Sequence, residues 1–378
     1  MSVSVSVSAA PEPRARRKPS SGLVLGSWPG RESDHNRFLP ILVDALEAEG
    51  VEVASFPDSR DIDLRGLDAL LVHWPDKVFW EAKSSREASW LIGRLLARLG
   101  ARPAGCRLVW MVHDLAPHDG RWFKRLAWPP YAGLLARLAD GALTLSEGTK
   151  ATVAAAYPAL ARKPLGHVWH PSYPGEALTP AAAAAARGGF GWTPLERVFG
   201  YCGQLRPYKE VEELIRAVAA LADPDARLLV AGRPMDAGYA GTLMGLGEGD
   251  RRIRLVPEDL APERFRACLG ACDVVVAPFR RYLHSGSIVH ALSAGRPVLT
   301  PATPFATSLQ AELGSPGWLQ TYQGPLTPET LSAARRPEAA LDLGPIAPAK
   351  AAARLRRFLE GLTPGETGRN RLRPRTSS

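Results

Sequence analysis

DVVVAPFRRYLHSGSIVHALSAGRPVLTP, residues 273–301, passes through four local structures in succession. Its apolar, β-branched start reads as a buried strand, followed by a loop carrying Arg280 and Arg281. The Ser285-Gly286-Ser287 step then opens a helix expected from about Ser287 to Ala294, and RPVLTP (296–301) reads as another strand. Strand, crossover helix and strand form the repeating unit of a parallel sheet with helices on its faces. Gly286 lets the backbone approach a ligand closely, and the unpaired amides of a helix start suit phosphate oxygens. An N-cap with a tight turn, satisfied by the Ser285 hydroxyl alone, is the ligand-free alternative.

The same rhythm extends outward in both directions. Strand-like runs occur at 196–201, 227–234 and 252–257, separated by helices expected over Glu210 to Leu221 and Pro262 to Ala271. In the N-terminal half they occur at 22–26, 51–55, 69–74, 107–113 and 141–146, with a helix-spaced apolar stripe through Trp90, Leu91, Leu95, Leu96 and Leu99. The rhythm breaks after HVWHPSY (167–173), where an alanine run mixes with glycine and proline. The chain therefore divides into a disordered tail (1–21), a doubly wound Rossmann-like domain (22–175), a linker (176–195), a second such domain (196–363) and a basic disordered tail (364–378). The last helix of the second domain is a candidate to cross back to the first.

In open α/β sheets ligands bind beyond the carboxyl ends of the strands, so the turns there decide the chemistry. After the strand at 196–201, GQLRPYKE (203–210) sets Arg206 and Lys209 at a helix start, a diphosphate clamp unless both cations pair with Glu210, Glu212 or Glu213. Neither GxxxxGK[ST] nor GxGxxG occurs, which disfavours a P-loop kinase and a standard dinucleotide dehydrogenase. In the N-terminal half, His113, Asp114, His118 and Asp119 cluster at one strand end. Gly26 and Ser27 in a first turn, His73 at another strand end, Asp114, and Glu147 before a further helix are candidates for the acceptor side. Ordinary turn or capping roles compete for His73, Asp114 and Glu147.

GQLRPYKE followed about 75 residues later by HSGSIVHALSAGRPVL resembles the donor domain of GT-B glycosyltransferases. More narrowly, VHDLAPHDGRWFKR (112–125), HWPD (73–76) and the SG-turn helix resemble the bacterial GDP-mannose:glycolipid β-mannosyltransferases of xanthan-type exopolysaccharide assembly. That resemblance implies a GT-B fold, two Rossmann-like domains facing a cleft, and inverting transfer of mannose from GDP-mannose to a polyprenyl-diphosphate-linked oligosaccharide. It assigns the diphosphate to Arg206, Lys209, Ser285, Gly286 and Ser287. Many retaining GT-B enzymes carry two glutamates in this last turn where Tyr282 and His290 stand here, so these two and His284 are expected near the donor sugar. The GT-B pattern places Gly232, Arg233, Glu258 and Glu263 at the nucleotide and ribose. The family pattern keeps His113, His118 and Asp119, which makes Asp119 the preferred base, with His118 its partner or rival; His113 reads as a sugar or phosphate ligand or as a satisfied loop histidine. No metal or other cofactor is expected beyond the nucleotide-sugar. A UDP-sugar donor, glucosyl or glucuronosyl, and a non-catalytic two-domain sugar or nucleotide binder are the alternatives.

Composition agrees with this class. A net charge of +9 favours an anionic partner, and part of it lies in the tails. Four cysteines, Cys106, Cys202, Cys268 and Cys272, lack metal-ligand spacing and read as reduced core residues. No apolar run is long enough to span a bilayer and no signal-peptide core follows the N-terminal charges, which points to the cytoplasm. Residues 120–140 mix Trp122, Phe123, Trp128 and Tyr131 with Arg121, Lys124 and Arg125, suiting contact with the inner face of the cell membrane. No nucleic-acid-reading motif is present.

Overall fold

The computed structural model describes residues 22–32, 37–117 and 122–362. The N-terminal half runs β1 (Val24–Trp28), α1 (Phe38–Ala48), β2 (Glu52–Ser55), β3 (Ala69–Val72), α2 (Val78–Glu81), α3 (Ser85–Gly100), β4 (Arg107–Met111), α4 (Trp122–Leu138), β5 (Gly141–Thr144), α5 (Lys150–Ala156) and β6 (Leu165–His167). After α6 (Pro180–Gly188) come β7 (Arg197–Cys202), α7 (Val211–Ala219), β8 (Ala226–Ala231), α8 (Ala237–Gly247), β9 (Ile253–Val256) and α9 (Pro262–Ala271). The chain continues through β10 (Val274–Val276), α10 (Gly286–Ser293), β11 (Val298–Pro301), α11 (Pro304–Leu313), β12 (Leu319–Tyr322), α12 (Pro328–Ala333) and α13 (Pro348–Gly361).

Two six-stranded sheets result, ordered β2-β1-β3-β4-β5-β6 and β12-β11-β10-β7-β8-β9, and the strand pairs are parallel. This is the pair of doubly wound α/β domains that the strand and helix rhythm predicts. In the second sheet the order reverses between β7 and β10, so the turns leaving these strands diverge and open a crevice at their carboxyl ends. The first sheet has its switch between β1 and β3.

The elements follow from local chemistry. Ser84 caps α3 by accepting from the Glu87 amide, with Glu87 in turn accepting from the Lys83 amide. Thr303 caps α11, Pro304 fills its first position, and Gly314 ends it in the left-handed conformation. Leu91, Leu95 and Leu99 bury one face of α3 against the sheet. The four cysteines are free and buried.

Two elements depart from the sequence expectation, in the first strand and in the expected linker. The first strand begins at Val24 rather than 22 and runs on through Gly26 and Ser27, placing both inside the sheet and not in a mobile acceptor turn. The segment taken as linker contains α6, capped by Thr179 with Pro180 behind it, and α6 packs on α9. Alanine has the highest helix propensity, and α9 supplies the packing that the run needs to fold. The last helix, α13, lies against α1, and its Leu355 and Leu359 share a core with β1 and β4 of the first domain.

The domains are also joined by a knob. Leu283, from the loop after β10, is buried in the first domain's core beside Val112 and Trp128. Gly148 approaches α11 so closely that an added Cβ would lie 2.2 Å from the Pro304 carbonyl oxygen, and its amide donates to Ser308 at 3.1 Å.

Candidate active site

Three turns of the second domain converge at the β7/β10 switch. Gly203 follows β7 and Gly232 follows β8, and a Cβ on Gly232 would fall 1.9 Å from the Gly203 carbonyl oxygen. Gly232 has a φ of 137°, a conformation that side chains rarely adopt. Leu205 donates its amide to the Arg233 carbonyl (2.8 Å) and accepts from the Met235 amide (2.9 Å), tying the Arg206 turn to the Arg233 turn. A Cβ on Gly203 would lie 3.8 Å from that of Ser287, which brings the start of α10 beside them.

Ser285 caps α10, its hydroxyl accepting from the Ile288 amide at 3.3 Å and lying 3.0 Å from the Ser287 hydroxyl. The cap satisfies one amide and leaves those of Gly286 and Ser287 available at the positive end of the helix. At Gly286 a Cβ would meet the Tyr173 hydroxyl at 3.1 Å and His170 Nε2 at 3.2 Å, so residues 170–176, which lead from β6 of the first domain toward α6 and form the hinge, back this turn closely.

Lys209 ends a short 3-10 turn, Pro207–Lys209, with Arg206 as its preceding residue. Its Nζ sits 3.8 Å from the Phe279 ring centroid and 5.1 Å from that of Tyr208. Burial lowers its pKa from 10.5 to about 8, with Asp114 opposing the shift and Arg206 adding to it. The acidic neighbours that might have neutralised the pair point elsewhere, since Arg280 takes both Glu210 (2.6 Å) and Glu213 (3.2 Å). Glu210, the residue before α7, takes a left-handed φ of 53°. The Arg206 carbonyl accepts from the Lys209 amide at 2.9 Å, and its half-buried side chain has no ion pair or hydrogen bond among the described residues.

Opposite lies the end of β4. His113 stacks on Trp74 (centroids 4.0 Å) and meets Phe38 edge-on (4.9 Å), and its Nε2 is 3.1 Å from His73 Nδ1. Across the cleft His284 approaches His113, with centroids 6.0 Å apart. Burial pushes His73 and His284 down to about 3, His170 to about 4 and His113 well below the usual imidazole range, so all four are neutral near pH 7. His284 engages the Val112 backbone, and its Nε2 is buried with no partner among the described residues. Asp114 exerts its charge on both Lys209 and His284, which sets it in the cleft between the domains.

Several sequence candidates take other roles. Gly26 is core packing, because a Cβ there would lie 2.6 Å from Leu67 Cδ1, and the buried Ser27 hydroxyl donates to the Pro29 carbonyl at 3.0 Å. His73 is buried behind His113 and supports it, since the strand ends at Val72 and the following 3-10 turn carries the chain inward. Glu147 pairs with Lys150 (2.6 Å) and His167 (2.7 Å). His290 bonds Glu176 at 3.0 Å and stacks between Tyr173 and Phe265, so it serves the hinge and not the donor sugar. Tyr282 accepts from the Thr303 hydroxyl at 2.9 Å and packs on Phe279. Arg233 contributes its backbone, its side chain being exposed 3.5 Å from Asp259. Glu258 is exposed and pairs with Arg264, and Glu263 is exposed in the first turn of α9. His118 and Asp119 lie outside the described residues. Sequence reading missed Phe279 and Leu283, because each acts through a neighbour distant in the chain.

Among the described residues no group of three or more His, Cys, Asp or Glu is placed to hold a metal ion, and no helix is long and apolar enough to cross a membrane.

Residues 196–321 match the family model of "Glycosyl transferases group 1". Over 311 residues the chain is 26% identical to a GDP-mannose:glycolipid 4-beta-D-mannosyltransferase of Xanthomonas campestris pv. campestris, the match covering 82% of each chain. A D-inositol 3-phosphate glycosyltransferase of Mycobacterium sp. (strain KMS) is 33% identical over 140 residues, which is 36% of this chain and 31% of that one. Among solved structures, Anabaena HepE in complex with UDP and glucose superposes with a TM-score of 0.55 at 16% identity, covering 90% of this chain and 95% of the other.

Proposed function

We propose that this chain, a glycosyltransferase of the GT-B fold with a group 1 domain at residues 196–321, moves mannose from GDP-mannose, with inversion, onto a polyprenyl-diphosphate-linked oligosaccharide in exopolysaccharide synthesis. The observation that carries the reading is the meeting of Lys209, Arg206 and the open amides of α10 at the β7/β10 switch, facing Asp114 and His113 across the cleft. The choice of mannose and GDP is supported by the likeness to the Xanthomonas enzyme, which extends through both domains.

In inverting transfer the acceptor hydroxyl attacks the anomeric carbon from the face opposite the diphosphate. Its proton passes to a base as the bond to the phosphate oxygen breaks, and negative charge collects on the departing diphosphate. Lys209, Arg206 and the Gly286 and Ser287 amides are preorganised to take up that charge, in a site where burial strengthens each interaction. Asp114, within the field of Lys209, belongs to the leaving-group side. The base is assigned to Asp119, with His118 its partner or rival, on the strength of the family pattern at residues 112–125. The neutral His284 ring, facing His113 across the cleft, offers a hydrogen-bonding group for sugar hydroxyls without adding charge.

A membrane-bound acceptor suits a further surface. Trp80 on α2, Trp90 on α3, and Trp122 and Leu126 on α4 are exposed, and these helices pack together. The exposed cations Lys83, Arg86, Arg94 and Arg125 lie on the same three-helix unit. Of the aromatic residues in the 120–140 stretch, Trp128 and Tyr131 turn into the core, so Trp122 carries the outward role. Buried Lys124 holds Trp80 in place, with Nζ 3.7 Å from the ring centroid. Indoles ringed by cations fit the headgroup region of an anionic leaflet.

The test is mannose transfer from GDP-mannose to a lipid-diphosphate glycan. Lys209→Ala should abolish tight donor binding. Asp119→Asn should leave it intact while turnover falls on the order of 100-fold or more. Turnover is expected to survive EDTA. Transfer from a UDP-sugar with none from GDP-mannose would reject the donor, and nucleotide-sugar binding without turnover on any lipid-linked acceptor would reject catalysis.

A further inference from the structure

The amino ends of the second sheet's strands, on the edge remote from the cleft, carry a second concentration of positive charge. Asp273 immediately precedes β10, Arg197 begins β7, Pro297 precedes β11 and Trp318 precedes β12. Between them and α6 lies a cavity of about 360 Å³ lined by Arg187, Arg296, Arg336, Trp192, Trp318 and Asp273. A neighbouring recess of about 350 Å³ shares Asp273 and Arg336 and adds Arg197 and Glu196.

The charges there do not balance. Arg187 (2.5 Å) and Arg336 both pair with one oxygen of Asp273, whose other oxygen accepts the Val198 amide at 2.8 Å. Glu196 is taken by Arg227. Arg296 donates to the Cys272 carbonyl at 3.2 Å, and its Nε is buried with no partner among the described residues. Arg197 reaches the Ser332 and Ala334 carbonyls. Four guanidinium groups thus surround one available carboxylate, already shared. Arg187 and Arg336 depress Arg296, and Arg336 depresses Arg197, after burial as the first cause in both, so the groups feel one another's charge.

The walls are rigid and flat. Trp318 donates its indole N–H to the Ala339 carbonyl at 2.8 Å, and Trp192 stacks on Phe190 with centroids 5.1 Å apart. A planar guanidinium fork matches phosphate oxygens, and an indole face covers an apolar ring or sugar. We propose that this cavity is a second anion site, separate from the donor site, for a small phosphorylated molecule. Arg296 and Arg336 hold the phosphate and Trp318 packs against the remainder. Arg187 belongs to α6, which directly follows the hinge residues 170–176, so occupancy bears on the element that connects the two domains.

Pyrophosphate is the probe, titrated calorimetrically into the full chain. Two classes of site are expected, of which Lys209→Ala removes the donor-side one and Arg336→Glu removes the other. Arg336 is two-thirds exposed (67%) and Asp273 keeps Arg187 as its partner, and GDP binding reports whether the variant is folded. Arg296→Gln should weaken the second site at least about tenfold, and Arg336→Lys, which keeps the charge but not the fork, should weaken it less. GDP binding should persist in all three arginine variants. A Lys209→Ala protein that binds no pyrophosphate overturns the proposal, as does second-site binding unchanged by Arg336→Glu and Arg296→Gln.

Discussion

Lys209 shows how one buried cation sets a pH range. Burial lowers its pKa to about 8, so the free protein carries the charge below that pH and loses it above. A diphosphate needs the charged form, and its binding therefore takes up a proton above pH 8. The dissociation constant for GDP should rise roughly tenfold per pH unit beyond about 8, whereas Lys209→Arg, always charged, should flatten the profile. Titrations between pH 6.5 and 9.5 would check this, and a flat wild-type profile would remove Lys209 from the site. The sequence already marked Lys209, since a cation at a strand-to-helix turn is visible in GQLRPYKE. That its neighbouring glutamates pair elsewhere was not visible. Glu210 and Glu213 stand next to it in the chain, and only folding shows that Arg280, about 70 positions on, claims both.

At the scale of elements the site depends on two glycine turns meeting. Gly232 combines a positive φ with a Cβ position 1.9 Å from a backbone oxygen, and backbone cannot step aside as a flexible side chain can. Gly232→Ala should cost about 2–4 kcal/mol in urea unfolding and weaken GDP binding as the Arg206 and Arg233 turns separate. Unchanged stability and affinity would mean that the turns are not coupled. Sequence periodicity located these strands to within a few residues, because apolar β-branched runs announce themselves. It misplaced Gly26 and Ser27, since glycine in a loop and glycine under a crowded core look alike in one dimension. Gly26 is small because Leu67 and Phe56 lie against it.

Across the whole molecule, the links between the domains include the Leu283 knob, the Gly148 approach to α11, the Arg37–Glu176–His290 contact at the hinge, and the Glu147–His167–Arg354–Glu312 chain beneath α13. The exposed indoles of α2, α3 and α4 belong to the first domain. The double variant Trp80→Ala, Trp122→Ala should bind vesicles of anionic phospholipid at least about tenfold more weakly while keeping its affinity for GDP. Equal partitioning of variant and wild type in a sedimentation assay would dismiss this surface. Trp80 could not be paired with Trp122 from sequence, because 42 residues separate them and α3 brings their helices into one unit.

By itself the sequence determined the two parallel sheets, the turns that bear chemistry and the cations at them, because strand composition, helix caps and turn glycines act over a few residues. Tertiary structure decided which groups remain uncompensated. It turned His290 and Glu147 into structural partners, set His73 behind His113, and faced Asp114 toward Lys209. The physical reason is that burial and charge pairing depend on neighbours in space. The 273–301 stretch illustrates both sides: its strand, cap and helix were readable, while the knob at Leu283 and the unpartnered His284 nitrogen exist only once the first domain closes over them.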